Sequence, residues 1–261
     1  MTLDELPGRY RTVLCDVWGV IHDGERLLPG VVDRFRLWKR EGRRIVVITN
    51  APRPADRVVA DLGAMGLPSD LWDGLTSSGQ AGIEALTHPP RAVGFAGSRF
   101  DHEDLTAHGV AIAAPGESIE EIALTGLDEH RSTVAEYEQE ISDWIERDLL
   151  VHCLNPDVVV MHRGREVVCA GAIAEEVEAR GGRVLYYGKP HAPIFEHALK
   201  LAGNPDPADV VMVGDNPATD MLGAARMGMA GVLVGSGVAH AEHEWGAEPE
   251  DWRPLMTVDG L

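Results

Sequence analysis

Apolar residues along the chain fall in short runs that end on polar side chains, and between these runs they recur at helical spacing. "TVLCDVW" reads as a buried strand leading to Asp16. "PGVVDRFRLWKREG" follows, with Val31, Phe35 and Trp38 on one helical face and Gly42 as the stop signal. "RRIVVITN" is a second apolar strand, ending on Thr49 and Asn50. "RPADRVVADLGAMG" then makes a helix, with Pro54 near its first turn and Val58, Val59, Leu62 and Met65 facing inward. This β-α-β-α alternation predicts a parallel sheet with helices on both faces. The pattern returns late in the chain. "RVLYYGKP" and "DVVMVGDNPATD" are apolar runs ending in charged residues, separated by the helical "APIFEHALKLAG", and "AGVLVGSG" adds a further strand.

The middle of the chain has its own set of elements. "AVGFAG" and "IALTGLD" read as strands, and "TVAEYEQEISDWIERD" as an amphipathic helix carrying Val134, Tyr137, Ile141, Trp144 and Ile145. "LLVHCLNPDVVVMHRG" and the helix "AGAIAEEVEARGG" complete an α/β module. The expected organisation is a Rossmann-like α/β core, residues 1–80 and 187–261, interrupted by an inserted α/β domain at 81–186. The last 22 residues, with Trp245 and Trp252 among glutamates, read as a surface-packed tail.

Composition narrows the function. An apolar content of 44% and a charged content of 25% over 261 residues describe an ordinary globular chain with room for one good core and an insertion. The net charge of −19 argues against nucleic acid or an anionic membrane as partner. It also requires that any anionic substrate meet local cations, and lysine is scarce: Lys39, Lys189 and Lys200 are the only three. Cys15, Cys153 and Cys169 form no CxxC pair, which suits a reducing compartment. The acidic N-terminus "MTLDELPGRY" does not read as a signal peptide, and no apolar run approaches the ~20 residues of a membrane helix. A cytoplasmic location is expected, and homo-oligomerisation is left open.

In open parallel sheets ligands bind beyond the carboxyl ends of the strands. The polar ends read here are Asp16, Thr49 with Asn50, Lys189 and Asp215. Two carboxylates suit a hard divalent cation such as Mg²⁺ that leaves room for phosphate oxygens. A carboxylate nucleophile, a hydroxyl and a lysine complete a set able to perform phosphoryl transfer.

Four segments in order resemble the motifs of the haloacid dehalogenase superfamily, within it the class IIA, NagD-like phosphatases: "DVWGVIHDG", "VVITNAPR", "YYGKP" and "VMVGDNPATD". The resemblance covers nearly the whole chain. It implies Asp16 as the nucleophile that forms an aspartyl-phosphate, Thr49 as a hydrogen-bond donor to the phosphoryl group, and Asn50 shaping the same turn. It further implies Lys189 as the neutralising cation, Asp215 as a Mg²⁺ ligand with Asp16 and the backbone carbonyl of Trp18, and Asp220 in support. The gap between Thr49 and Lys189 has room for the cap domain of this class, which would close over the rim and select the substrate. "NPDVVV" and "CAGAIAEEVE" are similar to segments of that cap and point to Asn155 and Asp157 as substrate-side residues. The expected activity is Mg²⁺-dependent hydrolysis of a small phosphorylated metabolite.

The family's phosphatases carry an acid/base aspartate where this chain has Trp18. An indole offers only an N–H donor, so slow turnover of esters with poor leaving groups is expected unless His22 or Asp23 substitutes. Trp18 is also compatible with a metal-independent dehalogenase-like site, because a halide leaves without a proton, and with a non-catalytic ligand-binding protein. Asp220 reads equally as a helix N-terminal residue favoured by the macrodipole. Arg53 reads as a first-turn residue or as a phosphate contact, and His240 and His243 as a solvated pair in the tail.

Overall fold

A computed structural model describes residues 2–162, 165–235 and 252–261. In chain order the first elements are β1 (Thr12–Asp16), α1 (Val31–Arg40), β2 (Arg44–Thr49), α2 (Ala55–Ala64), β3 (Gly74–Ser77), α3 (Ser78–Thr87) and β4 (Ala92–Ala96). Then come α4 (Arg99–Ala107), β5 (Ala111–Ile112), β6 (Glu121–Leu124), α5 (Glu138–Glu146), β7 (Leu150–Cys153), β8 (Val159–His162) and β9 (Arg165–Val168). The last are α6 (Ala170–Ala179), β10 (Arg183–Tyr186), α7 (Ala192–Leu201), β11 (Val210–Gly214), α8 (Leu222–Arg226), β12 (Ala230–Val234) and β13 (Met256–Val258).

The chain divides into two compact units, one of Met1–Thr49, Asp56–Thr76 and Lys189–Leu261, the other of Asn50–Ala55 and Ser77–Gly188. The first is built on a parallel six-stranded sheet in the order β13-β12-β11-β1-β2-β3. Its central strands are apolar without alternation because both faces are covered: Val13, Leu14, Cys15, Val46, Ile48 and Val210 to Val213 have no accessible surface. Ile194, Phe195 and Ala198 of α7, with Met221 and Ala224, pack against Leu14, Val46, Ile48 and Met212. Val58 and Leu62 of α2 are buried as their spacing predicts, whereas Val59 and Met65 are half-buried.

The second unit has a separate parallel five-stranded sheet, β10-β7-β6-β4-β5. Side chains alternate across it. Ile122 and Leu124 join Tyr137, Ile141, Trp144 and Ile173 on one side, while Ala123 joins Ile83, Leu86 and Leu105 on the other. An antiparallel pair, β8 with β9, precedes α6.

Two expectations are corrected. The run at 183–186 is a strand of the second unit paired with β7, so Lys189 does not end a core strand; it lies three residues beyond β10, where the chain enters the first unit. The end of the chain is more than a surface tail, because Met256–Val258 pairs with β12 as the sixth core strand, and Trp252 packs beside it with Nε1 donating to the Met229 carbonyl at 3.2 Å. Trp245, His240 and His243 lie outside the described residues. No described helix is long and apolar enough to cross a membrane.

Candidate active site

β1 sits at the point where the sheet's connections reverse direction: β2 and β3 extend to one side, β11, β12 and β13 to the other. A crevice opens at such a point beyond the carboxyl ends of the strands. The register matches Cys15 with Val213 and Asp16 with Ile48, so Asp16, Thr49 and Asp215 stand at the same end of three adjacent strands. All three are buried, as are Lys189 and Asp220.

Lys189 occupies the centre of this group. Its Nζ donates to Asp16 Oδ1 at 2.5 Å and to Asp220 Oδ1 at 2.7 Å. Asp220 is presented by a single π-helical turn, Pro217–Met221, which Asn216 caps by accepting the Ala218 N–H. The other oxygen of Asp220 accepts the Asn216 N–H at 3.1 Å. Gly214 makes this arrangement possible, since a Cβ there would stand 2.2 Å from Asp220 Cγ. Asp220 is thus a fully buried partner of the lysine and at the same time a first-turn residue of its helix, the position the helix reading gave it.

The electrostatics are unbalanced toward negative charge. Burial alone would push the Lys189 ammonium down, but the Asp16 and Asp220 carboxylates outweigh it and hold it above its ordinary value. Asp16 is held well above the usual carboxylate range, first by burial and then by the Asp220 charge, with Lys189 pulling the other way. Carboxylate oxygens of Asp16, Asp215 and Asp220 lie within 4.8 Å of one another. Three such groups around one ammonium concentrate negative charge in a buried place, which is costly. A hard divalent cation with oxygen ligands fits this donor set in charge and chemistry.

The loop after β1 folds back on itself. Ile21 and His22 donate their N–H groups to the Val17 carbonyl, and Leu28 donates to Ile21. The half-buried Trp18 meets the His22 ring edge-on at 5.4 Å between centroids, and its indole lies over Gly24. A Cβ at Gly24 would stand 2.6 Å from Trp18 Cη2, and Gly24 has φ of +97°. His22 Nδ1 accepts the Gly24 N–H at 3.0 Å, and burial pulls its pKa below the ordinary value against the charges of Asp23 and Asp61. Asp23 Oδ1 accepts the N–H groups of Glu25 and Arg26, each at 3.0 Å, which holds its carboxyl below the usual range.

In the second unit Asn50 Nδ2 donates to Asp157 Oδ1 at 2.8 Å, and the Asp157 N–H donates to Asn155 Oδ1 at 3.2 Å. These three expected substrate-side residues therefore form one polar cluster. Arg53 lies just before α2, where its carbonyl accepts the Ser77 hydroxyl and its charge draws on the Asp101 carboxyl. Sequence reasoning missed a buried polar chain in this unit. His152 on β7 contacts Tyr187 Oη through Nδ1 at 2.8 Å and Glu121 Oε2 through Nε2 at 2.9 Å, and Arg91 donates to the same Glu121 oxygen. A histidine within the otherwise apolar "LVHC" is the one signal that could have drawn attention to it.

A haloacid dehalogenase-like hydrolase family model matches residues 13–111, and a HAD-hydrolase-like model matches residues 186–260. The chain is 30% identical over 252 residues to chronophin of Rattus norvegicus, covering 92% of this chain and 81% of that protein. Among solved structures it is similar to a haloacid dehalogenase-like family hydrolase from Brucella suis 1330, with TM-score 0.86, 30% identity, and coverage of 99% and 98% of the two chains. It shares the fold of NagD from E. coli K-12, with TM-score 0.73, 21% identity and 96% of each chain covered. The chain belongs to the haloacid dehalogenase-like hydrolases, in their class IIA, NagD-like group of phosphatases.

Proposed function

We propose that the protein is a Mg²⁺-dependent phosphatase that transfers the phosphoryl group of a small phosphorylated metabolite to Asp16 and then to water. The observation that carries this reading is the buried Lys189 between Asp16 and Asp220, with Asp215 within reach of both carboxylates.

Asp16 supplies the attacking carboxylate oxygen, and its position at the end of a rigid buried strand fixes the line of attack. Lys189 holds Asp16 in place and offers positive charge to the phosphoryl oxygens as negative charge accumulates in the transition state. Thr49, at the end of the neighbouring strand, offers its hydroxyl to the same oxygens. Asp220 anchors Lys189. Asp16, Asp215 and the Trp18 carbonyl would hold Mg²⁺, which supplies charge neutralisation for the transferring group when bound. Asn50, Asn155 and Asp157 are assigned to substrate binding, supported by their mutual hydrogen bonds. Assigning residues 81–186 to the inserted cap and the protein to the cytoplasm belongs to the same reading; the three free, buried cysteines support the latter.

The test is hydrolysis of p-nitrophenyl phosphate with Mg²⁺, with a chelator, and by Asp16→Asn. Turnover that needs the metal and disappears in Asp16→Asn is expected. Turnover that persists in Asp16→Asn would overturn the assignment of the nucleophile, and halide release indifferent to chelator would favour the dehalogenase-like alternative.

A further inference from the structure

Transfer of a phosphoryl group to Asp16 breaks the bond between phosphorus and the leaving oxygen, and that oxygen departs with the electron pair. An alkoxide needs a proton as it leaves, whereas a carboxylate, a phenolate or a phosphate does not. The neighbours of the nucleophile along β1 and in the loop that follows, and the lysine that contacts it, have partners of their own. Trp18 has no acidic proton, and its indole is packed over Gly24. His22 accepts the Gly24 N–H at Nδ1, so in this arrangement its proton sits on Nε2 of a neutral ring, a hydrogen-bond donor and a poor acid. Asp23 spends Oδ1 on two backbone amides of its own turn and Oδ2 on Arg26. Lys189 directs two of its N–H bonds to Asp16 and Asp220. The Cys15 thiol donates to the Asp16 carbonyl at 3.4 Å.

We infer that this site takes phosphoryl donors whose leaving oxygen departs as a stable anion, the chemistry shared by acyl phosphates, phosphoanhydrides and aryl phosphates, in preference to alkyl phosphate monoesters. The inference rests on the phosphatase reading above and names its substrate class. In the first step an Asp16 oxygen bonds to phosphorus and the leaving group departs as its anion, with no proton transferred. In the second a water oxygen bonds to phosphorus, the bond to Asp16 breaks, and both water protons leave with the product as dihydrogen phosphate. With Trp18 in place of an acid/base carboxyl this second step is slow as well, so the phosphorylated Asp16 accumulates and the first turnover is a burst.

The experiment measures kcat/KM, which reports events up to departure of the leaving group, across aryl phosphates of rising leaving-group pKa. Acetyl phosphate, pyrophosphate and glycerol 2-phosphate extend the series and separate acyl, anhydride and alkyl donors. A steep, continuous fall with leaving-group pKa is expected for the wild-type protein, together with a stoichiometric burst of nitrophenolate. Trp18→Asp should raise the alkyl end relative to p-nitrophenyl phosphate by roughly 10²–10⁴-fold, the span of general acid assistance. A wild-type series independent of leaving-group pKa overturns the inference while leaving the phosphatase reading intact. A folded Trp18→Asp with the wild-type slope also overturns it. Absence of turnover with every member, acetyl phosphate included, refutes the phosphatase reading itself. Should Trp18→Asp fail to fold, the wild-type slope decides alone.

Discussion

Lys189→Met keeps a side chain of similar length and removes its charge. It deletes the 2.5 Å and 2.7 Å contacts to Asp16 and Asp220 and leaves three buried carboxylates within 4.8 Å of one another. Removing one partner of a buried ion pair costs about 3–5 kcal/mol, because the remaining charge stays buried and unpaired. At ~2–4 °C per kcal/mol for a protein of this size, the melting temperature in metal-free buffer should fall by roughly 6–20 °C. The sign with pH follows from Asp16. Its carboxyl is raised in the folded state by burial and by Asp220, so its favourable contribution is present below the unfolded value and lost as pH rises through the folded one. Lys189 offsets that loss at neutral pH, so its removal matters most there and least near the ordinary carboxylate value of about 4. Scanning calorimetry of both proteins at neutral and mildly acidic pH reads the difference on the transition of the first unit. Adding Asp16→Asn to Lys189→Met should restore part of the loss, since it deletes an uncompensated charge. A Lys189→Met penalty below ~1 kcal/mol, or one equal at both pH values, would refute the reasoning.

Two further perturbations test other parts of the site and the fold. Gly214→Ala places a Cβ 2.2 Å from Asp220 Cγ and must displace that carboxylate from Lys189; a stability loss of about 1–3 kcal/mol and a ~10²-fold fall in kcat are expected, and an unchanged kcat would contradict the role given to Asp220. His152 is pulled below its ordinary value by burial, with Glu121 opposing and Arg91 assisting, and Tyr187 packs against its ring. A depressed histidine contributes stability above its unfolded value of about 6.5 and loses it as pH falls through the folded value. Unfolding of the second unit should therefore ease on acidification from about pH 7 to 5, and His152→Gln should flatten that dependence; equal slopes in both proteins would rule it out.

Much of the first unit was legible because its strands are continuous apolar runs and its helices repeat at their own period. Asp16, Thr49 and Asp215 stand out for the same reason: each is a polar residue at the end of an apolar run, and a parallel sheet brings such ends together. Lys189 was legible as chemistry but not as topology. "RVLYYGKP" has the pattern of a core strand, and pairing with β7, a non-local choice, decides which sheet it joins. The short strands Gly74–Ser77 and Met256–Val258 carry too few apolar positions for a period to appear, and their pairing partners make them strands. Asp220 was open between two roles because a π-helical turn and a glycine that makes room for a carboxylate leave no periodic trace. The packing of Trp18 over Gly24, and the loss of the His22 Nδ1 lone pair to a backbone amide, likewise depend on how one loop closes on itself.

The central claim is that Asp16 carries the phosphoryl group during turnover. Quenching the reaction during the first turnover with p-nitrophenyl phosphate, reducing the protein with borohydride and sequencing its peptides by mass spectrometry tests this directly. Borohydride converts an aspartyl-phosphate to homoserine and leaves a free carboxylate unchanged. Homoserine at position 16, present with substrate and absent without it, is the predicted result. Aspartate at position 16 in a protein that is turning over, or homoserine at Asp215 or Asp220 instead, would contradict the account.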